Sequence, residues 1–249
     1  MAVRTGVVGR GGWDERQAMR WGGAAAMIGA VLSLIGNLLH PRSDDVENIR
    51  GELRLVADSD IWLVDHLVLA FSLAFLSVGL LSVASYLDVG AGTTWGRIAR
   101  ASVVGGLTVA FVTVAVDGMA MKAVADDWAA AGGGRGGGGG AEAVAQVSLA
   151  LFTGLIGSFL GLTPLLVGLA QLWSGRFPAW LAYLAIGGGA LNMVVGTLQY
   201  LNGPSNLLTN VIFTIGALII TAWAFLSGWH LWQRSSGPAA GTATPRVTA

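Results

Sequence analysis

The chain of 249 residues is 54% hydrophobic and only 11% charged, with a mean hydropathy of +0.66, which is more apolar surface than a water-soluble fold can bury. Its formal net charge is zero and it holds no basic run, so nothing is available to neutralise a phosphate backbone and nucleic acid is excluded as a partner. Cysteine is absent, which removes disulfides, thiolate metal sites, Cys-ligated iron–sulfur clusters and cysteine nucleophiles.

A helix needs roughly 20 mostly apolar residues to cross the hydrocarbon of a bilayer, and only a helix satisfies its own backbone there. Six stretches meet this length: Trp21 to Leu39, Ile61 to Leu87, Ile98 to Val124, Val144 to Trp173, Ala179 to Tyr200 and Leu207 to Trp232. The expected fold is all-α, a polytopic membrane bundle over 19–232, with a cytoplasmic segment at 1–18 and a disordered tail at 233–249. Arg4, Arg10, Arg16 and Arg20 ahead of the first stretch imitate a secretory signal. That stretch is long for a signal core and ends in Asn37, His40, Pro41 and Arg42 without a small-x-small pattern, so it reads as a retained first helix.

Between the first two spans, Val46, Ile49, Leu53 and Val56 recur at helical steps, and Asp44 with Glu47 is spaced like a capping box. A short amphipathic helix within 41–60 is predicted, lying on the outer surface or over the bundle mouth. Between the third and fourth spans, eight of the nine residues 132–140 are Gly, and 129–142 reads as a flexible tether. Pro164 in the fourth span is expected to bend that helix or free a carbonyl. Gly154, Gly157 and Gly161, then Gly187 to Gly189, read as close helix packing.

Ionisable residues within a span are costly and therefore draw a functional reading. Asp117 in the third span is the clearest, a candidate site for a cation, a proton or a substrate amine; Asp65 and His66 open the second span, and Lys122 stands five residues beyond Asp117. These four are the candidate ligand-binding residues. Neighbouring helix positions point about 100° apart, so Asp65 and His66 are not a pair on spacing alone. Asp126, four residues past Lys122, offers it a simple ion pair. Haem held by His40 and His66 is a weaker alternative. The sequence assigns no metal set, no cofactor and no catalytic residue: HExxH, GxSxG and the phosphate-binding glycine loop are all absent. His40, Asp65, His66, Asp117, Lys122, Gln146, Asn192, Gln199, Tyr200, Asn206 and Asn210 all fall toward one side, which suggests a polar pocket opening there.

The stretch Gly161 to Gly189, GLTPLLVGLAQLWSGRFPAWLAYLAIGGG, resembles bacterial membrane proteins known only as domain of unknown function 4386. Carried by its proline, its Ser-Gly-x-Phe-Pro connection and its glycine-rich fifth span, the resemblance implies a six-helix membrane protein and supplies no catalytic residues.

The functional expectation is a non-enzymatic protein of the inner (plasma) membrane that binds or passes a small molecule or ion through that pocket. A membrane enzyme or haem redox protein, and a structural or regulatory subunit that pairs with another membrane protein or with itself, are the alternatives. Placing both termini in the cytoplasm puts nine of the fourteen basic residues inside and leaves Arg42, Arg50, Arg54, Lys122 and Arg135 outside. Because the chain has no cysteine, single-cysteine labelling tests this cleanly. Asp60→Cys in intact cells is expected to react with a membrane-impermeant maleimide, and Ser236→Cys only after permeabilisation; the reverse pattern inverts the topology.

Overall fold

The computed structural model describes residues 11–43, 45–133 and 138–236. Among them all regular elements are helical, and six stretches are long and apolar enough to cross a membrane: Glu15–Leu39, Trp62–Tyr86, Gly90–Ala130, Gly139–Ser174, Ala179–Asn202 and Leu207–Ser236. The protein is an all-α, multi-pass membrane bundle. Ile28, Val31, Leu38, Leu63, Leu67 and Phe71 point outward from the first two spans, a surface suited to lipid and not to water.

In chain order the helices are α1 (Gly11–Leu39), α2 (Ile49–Asp58), α3 (Trp62–Tyr86), α4 (Thr93–Ala115), α5 (Met121–Ala130), α6 (Gly138–Gly157), α7 (Thr163–Ser174), α8 (Ala179–Asn202) and α9 (Phe213–Ser236). A π turn at Val116–Ala120 joins α4 to α5, another at Ser158–Leu162 joins α6 to α7, and a third at Leu207–Ile212 leads into α9. Each span packs on its neighbours in sequence, and α9 closes back on α1, so the six form a ring with an interior.

The ring is tight where small residues meet. A Cβ added to Gly79 of α3 would stand 2.5 Å from the Cα of Ala26 on α1, and one added to Gly189 of α8 would stand 2.6 Å from the Gly161 carbonyl. Gly161, Gly188 and Gly189 therefore pack as the sequence suggests, and Gly157 lies against Gly196. Gly187 has open space beside it and Gly154 nearly so, because both sit on faces turned away from a neighbouring backbone. Pro164 has no N–H to give the carbonyl four residues back, that of Leu160. Asn192 of α8 donates its side-chain N–H to that carbonyl at 3.0 Å, so the freed acceptor becomes an interhelical tie.

At the α2 end the helices outrun the hydrocarbon. The rod from Gly90 to Ala130 is 41 residues, and at about 1.5 Å per residue it exceeds a core of about 30 Å roughly twofold. About half of the surplus is α5, which with α2 and the start of α6 builds a second small core of Leu53, Val56, Trp62, Met121, Trp128 and Ala145. This corrects the reading of 129–142 as a tether: Ala129 and Ala130 complete α5, and α6 begins at Gly138. Burial of Ala141 and Ala145 and an Arg50–Glu142 ion pair at 3.0 Å hold that glycine-rich start helical. Residues 134–137, the tail beyond Ser236, the segment 1–10 and Asp44 of the proposed capping box lie outside the described residues. The cap of α2 is instead Asn48, whose side chain accepts from the Gly51 N–H at 3.0 Å. Trp62 and Trp128 are both buried.

Gly79→Val is expected to lower thermal stability in mild detergent by about 1–3 kcal/mol, the usual cost of overpacking. Gly187→Ala is expected to be neutral or stabilising by up to about 1 kcal/mol. Equal losses for the two would show that the close approach of α1 and α3 contributes nothing.

Candidate functional site

Helix geometry at the α2 end brings four ionisable groups from three elements together. His40 continues α1 by one residue, its N–H donating to the Gly36 carbonyl at 2.9 Å. Asp65 and His66 occupy the first turn of α3. Asp117 lies in the π turn at Val116–Ala120, where an extra residue in the turn displaces the side chains from α-helical register; such turns recur at functional sites. Gly118 beside it permits the approach, since a Cβ there would stand 2.9–3.0 Å from the Cβ and ring of His66.

His40 Nδ1 donates to Asp65 Oδ2 at 2.7 Å, and His66 Nδ1 lies 2.9 Å from Asp65 Oδ1 and 2.7 Å from the Trp62 carbonyl. On the other edge of the ring, His66 Nε2 is 3.1 Å from Asp117 Oδ2, and the Ser148 hydroxyl of α6 donates to Asp117 Oδ1 at 2.7 Å. Trp62 Nε1 donates to the Asp117 backbone carbonyl at 2.9 Å. The rings of His40, Trp62 and His66 pack on one another with centroids 4.7–5.1 Å apart. Asp65 is 0% exposed and His66 4%, so this chain of bonds carries ionisable groups in a nearly dry setting, where an unpaired member would be costly.

Two cavities meet at this cluster. A chamber of about 140 Å³ runs into the ring past Leu73, Phe159, Pro164 and Trp223, and its α2-side mouth is formed by His40, His66 and Asp117. A vestibule of about 170 Å³ lies beneath α2, lined by Glu52, Arg42, Asn210 and Thr209 among others. Asn37, His40, Asp117, Phe152 and Phe213 belong to both walls. All three π turns contribute, through Asp117, through Phe159 and Leu160, and through Thr209 and Asn210. At the chamber floor Trp223 Nε1 donates to Gln171 Oε1 at 3.0 Å, and Gln171 Nε2 donates to the Ser227 hydroxyl at 3.1 Å, closing the space with a satisfied polar layer.

Of the four sequence candidates, Asp65, His66 and Asp117 converge and Lys122 does not. Its ammonium donates to the Val56 and Ala57 carbonyls at 3.2 and 2.9 Å and to Asp126 at 2.9 Å, so it caps the C-terminus of α2 and holds the outer core together. Asp65 and His66 do touch, against the 100° argument, because both side chains bend to the same spot. Haem between His40 and His66 does not fit: the two rings are in contact, centroids 5.1 Å apart, with no slot for a porphyrin. Gln146 and Tyr200 face outward, and Gln199 is spent on Thr209 at 2.9 Å. Asn37, Ser148 and Glu52 were not singled out by the sequence. No family model matches the chain, and no curated protein or solved structure is similar to it.

Burial pushes the Glu52 carboxyl above its ordinary value, the negative charge of Asp117 adds to this, and His40 opposes it. A carboxyl that binds its proton more tightly in the folded state makes folding less favourable as pH rises through the Glu range. Glu52→Gln is therefore expected to raise thermal stability at neutral pH, with the gain vanishing as the pH falls below that range. A gain that persists in acid would place its cause elsewhere.

Proposed function

We propose that the protein binds a small molecule with a compact apolar body and a cationic or hydrogen-bond-donating head, received through the vestibule and held in the chamber. The observation that carries this reading is the position of Asp117, a carboxylate on the wall of both cavities, fixed from behind by His66 and Ser148. A cavity of about 140 Å³ is close to the roughly 150 Å³ that holds one benzene ring in an engineered protein core. Its walls are mostly aliphatic and aromatic, which suits the body of such a ligand; the carboxylate at its mouth suits an ammonium head. Among the described residues, the hydroxyls of Ser72, Thr113 and Thr163 on the chamber wall donate to backbone carbonyls and not to His40 or His66, which favours binding or passage over serine-type catalysis.

The proposal includes the plasma membrane as location, the α2 end facing away from the cytoplasm, and kinship with the proteins of domain of unknown function 4386. The excess of Arg at the opposite end supports the orientation, and the segment 161–189 supports the kinship.

The test is calorimetric titration of the purified protein, with chelator present, using benzylamine and its branched homologues against the neutral benzyl alcohol. The amines are expected to bind at least about tenfold more tightly than the alcohol, and Asp117→Asn to erase that preference, as loss of a charge-assisted hydrogen bond requires. Equal affinity for amine and alcohol, or a preference that survives Asp117→Asn, removes the carboxylate from the reading.

A further inference from the structure

We infer that His40, Asp65 and His66 form a binding site for one divalent transition-metal ion, at the mouth of the chamber. One donor atom from each lies within 4.8 Å of the others. A tetrahedral ion with metal–ligand bonds of about 2.0–2.2 Å holds its ligand atoms about 3.3–3.6 Å apart, so engaging all three closes the widest separation by up to about 1.5 Å and opens the hydrogen-bonded ones slightly. In the metal-free protein the same positions are joined by protons, His40 Nδ1 to Asp65 Oδ2 and His66 Nδ1 to Asp65 Oδ1. An ion takes the place of those protons. The Trp62 carbonyl, 2.7 Å from His66 Nδ1, then stands as a fourth donor atom beside it.

Three further features fit a metal site and are not needed by a plain hydrogen-bond cluster. First, Asp65 is wholly buried, and its side-chain partners are the two imidazoles and no Lys or Arg, while Lys122 is committed to α2. Second, His66 presents its far nitrogen to Asp117, itself held by the Ser148 hydroxyl at 2.7 Å. A carboxylate behind a ligating histidine fixes the ring and raises its basicity, an outer-shell arrangement common among metal-bound histidines. Third, His40 lines the vestibule, where Glu52 and Asn37 offer oxygen atoms along the way in from the α2 end. Two imidazoles and a carboxylate favour zinc or another first-row ion over magnesium or calcium, which prefer shells made only of oxygen.

This inference shares His40 and His66 with the chamber but does not depend on an organic ligand. The zinc titration is run without amine and the amine titration with chelator, so either reading can fail alone. The full-length protein, purified without a histidine tag and stripped with chelator, is titrated with Zn²⁺ against a competing chelating dye. One ion per chain is expected, not displaced by millimolar Mg²⁺ or Ca²⁺. His40→Ala and Asp65→Asn should each weaken it at least about tenfold, and Asp117→Asn by about tenfold through the ring it orients. X-ray absorption at the zinc edge of the wild-type protein needs no variant to fold and should show two imidazoles. Asp117→Asn should retain both of them at its lower affinity. Absence of stoichiometric zinc, affinity unchanged in His40→Ala, or a zinc shell without imidazole would each overturn the assignment.

Discussion

In hydrocarbon there is no water to complete an unfinished hydrogen bond, and this single constraint organises the protein. Backbone groups are satisfied within helices, and most side chains that break the apolar pattern are satisfied by one another across the ring, with the Oδ1 of Asn192 a buried exception. Pro164 removes a donor and Asn192 meets the acceptor left behind; Trp223, Gln171 and Ser227 finish each other at the chamber floor. The same rule compels Asp65 to sit between two histidines and Asp117 between a histidine and a serine. Removing one member of such a chain strands the next in a medium where an unpaired polar group costs several kcal/mol.

Packing and polarity divide the ring between them. Close approach at Gly79 and Gly189 draws the spans together where no side chains intervene. Elsewhere the π turns at Val116–Ala120, Ser158–Leu162 and Leu207–Ile212 break the regular ladder, and residues of each reach the cavity walls. Helical irregularity, which costs backbone regularity, is concentrated where there is a space to line. The outer core formed by α2, α5 and the start of α6 then roofs the vestibule, with Lys122 as its fastening.

Much of the architecture was legible because apolar length is a direct physical requirement of a bilayer, and six windows met it. The ends of the third and fourth spans were not, since α5 and α6 continue past the hydrocarbon into a region whose burial comes from α2 and not from lipid. Glycines 138–140 look like a linker by composition and are helical because Ala141 and Ala145, next along the same helix, are buried in the outer core. In the site, His66, Asp65 and Asp117 were visible as charges that a span does not carry without reason. Their union was not, because it depends on a π turn and on Gly118 making room for a ring. Ser148 could not be found at all from the chain: it is one hydroxyl among many, distinguished only by the carboxylate it faces.

His66 is the residue on which the two functional readings turn. Its Nδ1 edge faces Asp65 and its Nε2 edge faces Asp117, so the imidazole is the physical link between the buried carboxylate and the carboxylate exposed to both cavities. A cation placed on the Asp65 side draws electron density through the ring and strengthens the bond from Nε2–H to Asp117. Asp117 is then held more firmly at the chamber mouth, and its charge is partly spent on the ring. An ammonium arriving in the chamber competes for that same charge. If both ligands bind, their occupancies are coupled, and by linkage each alters the affinity of the other by the same factor.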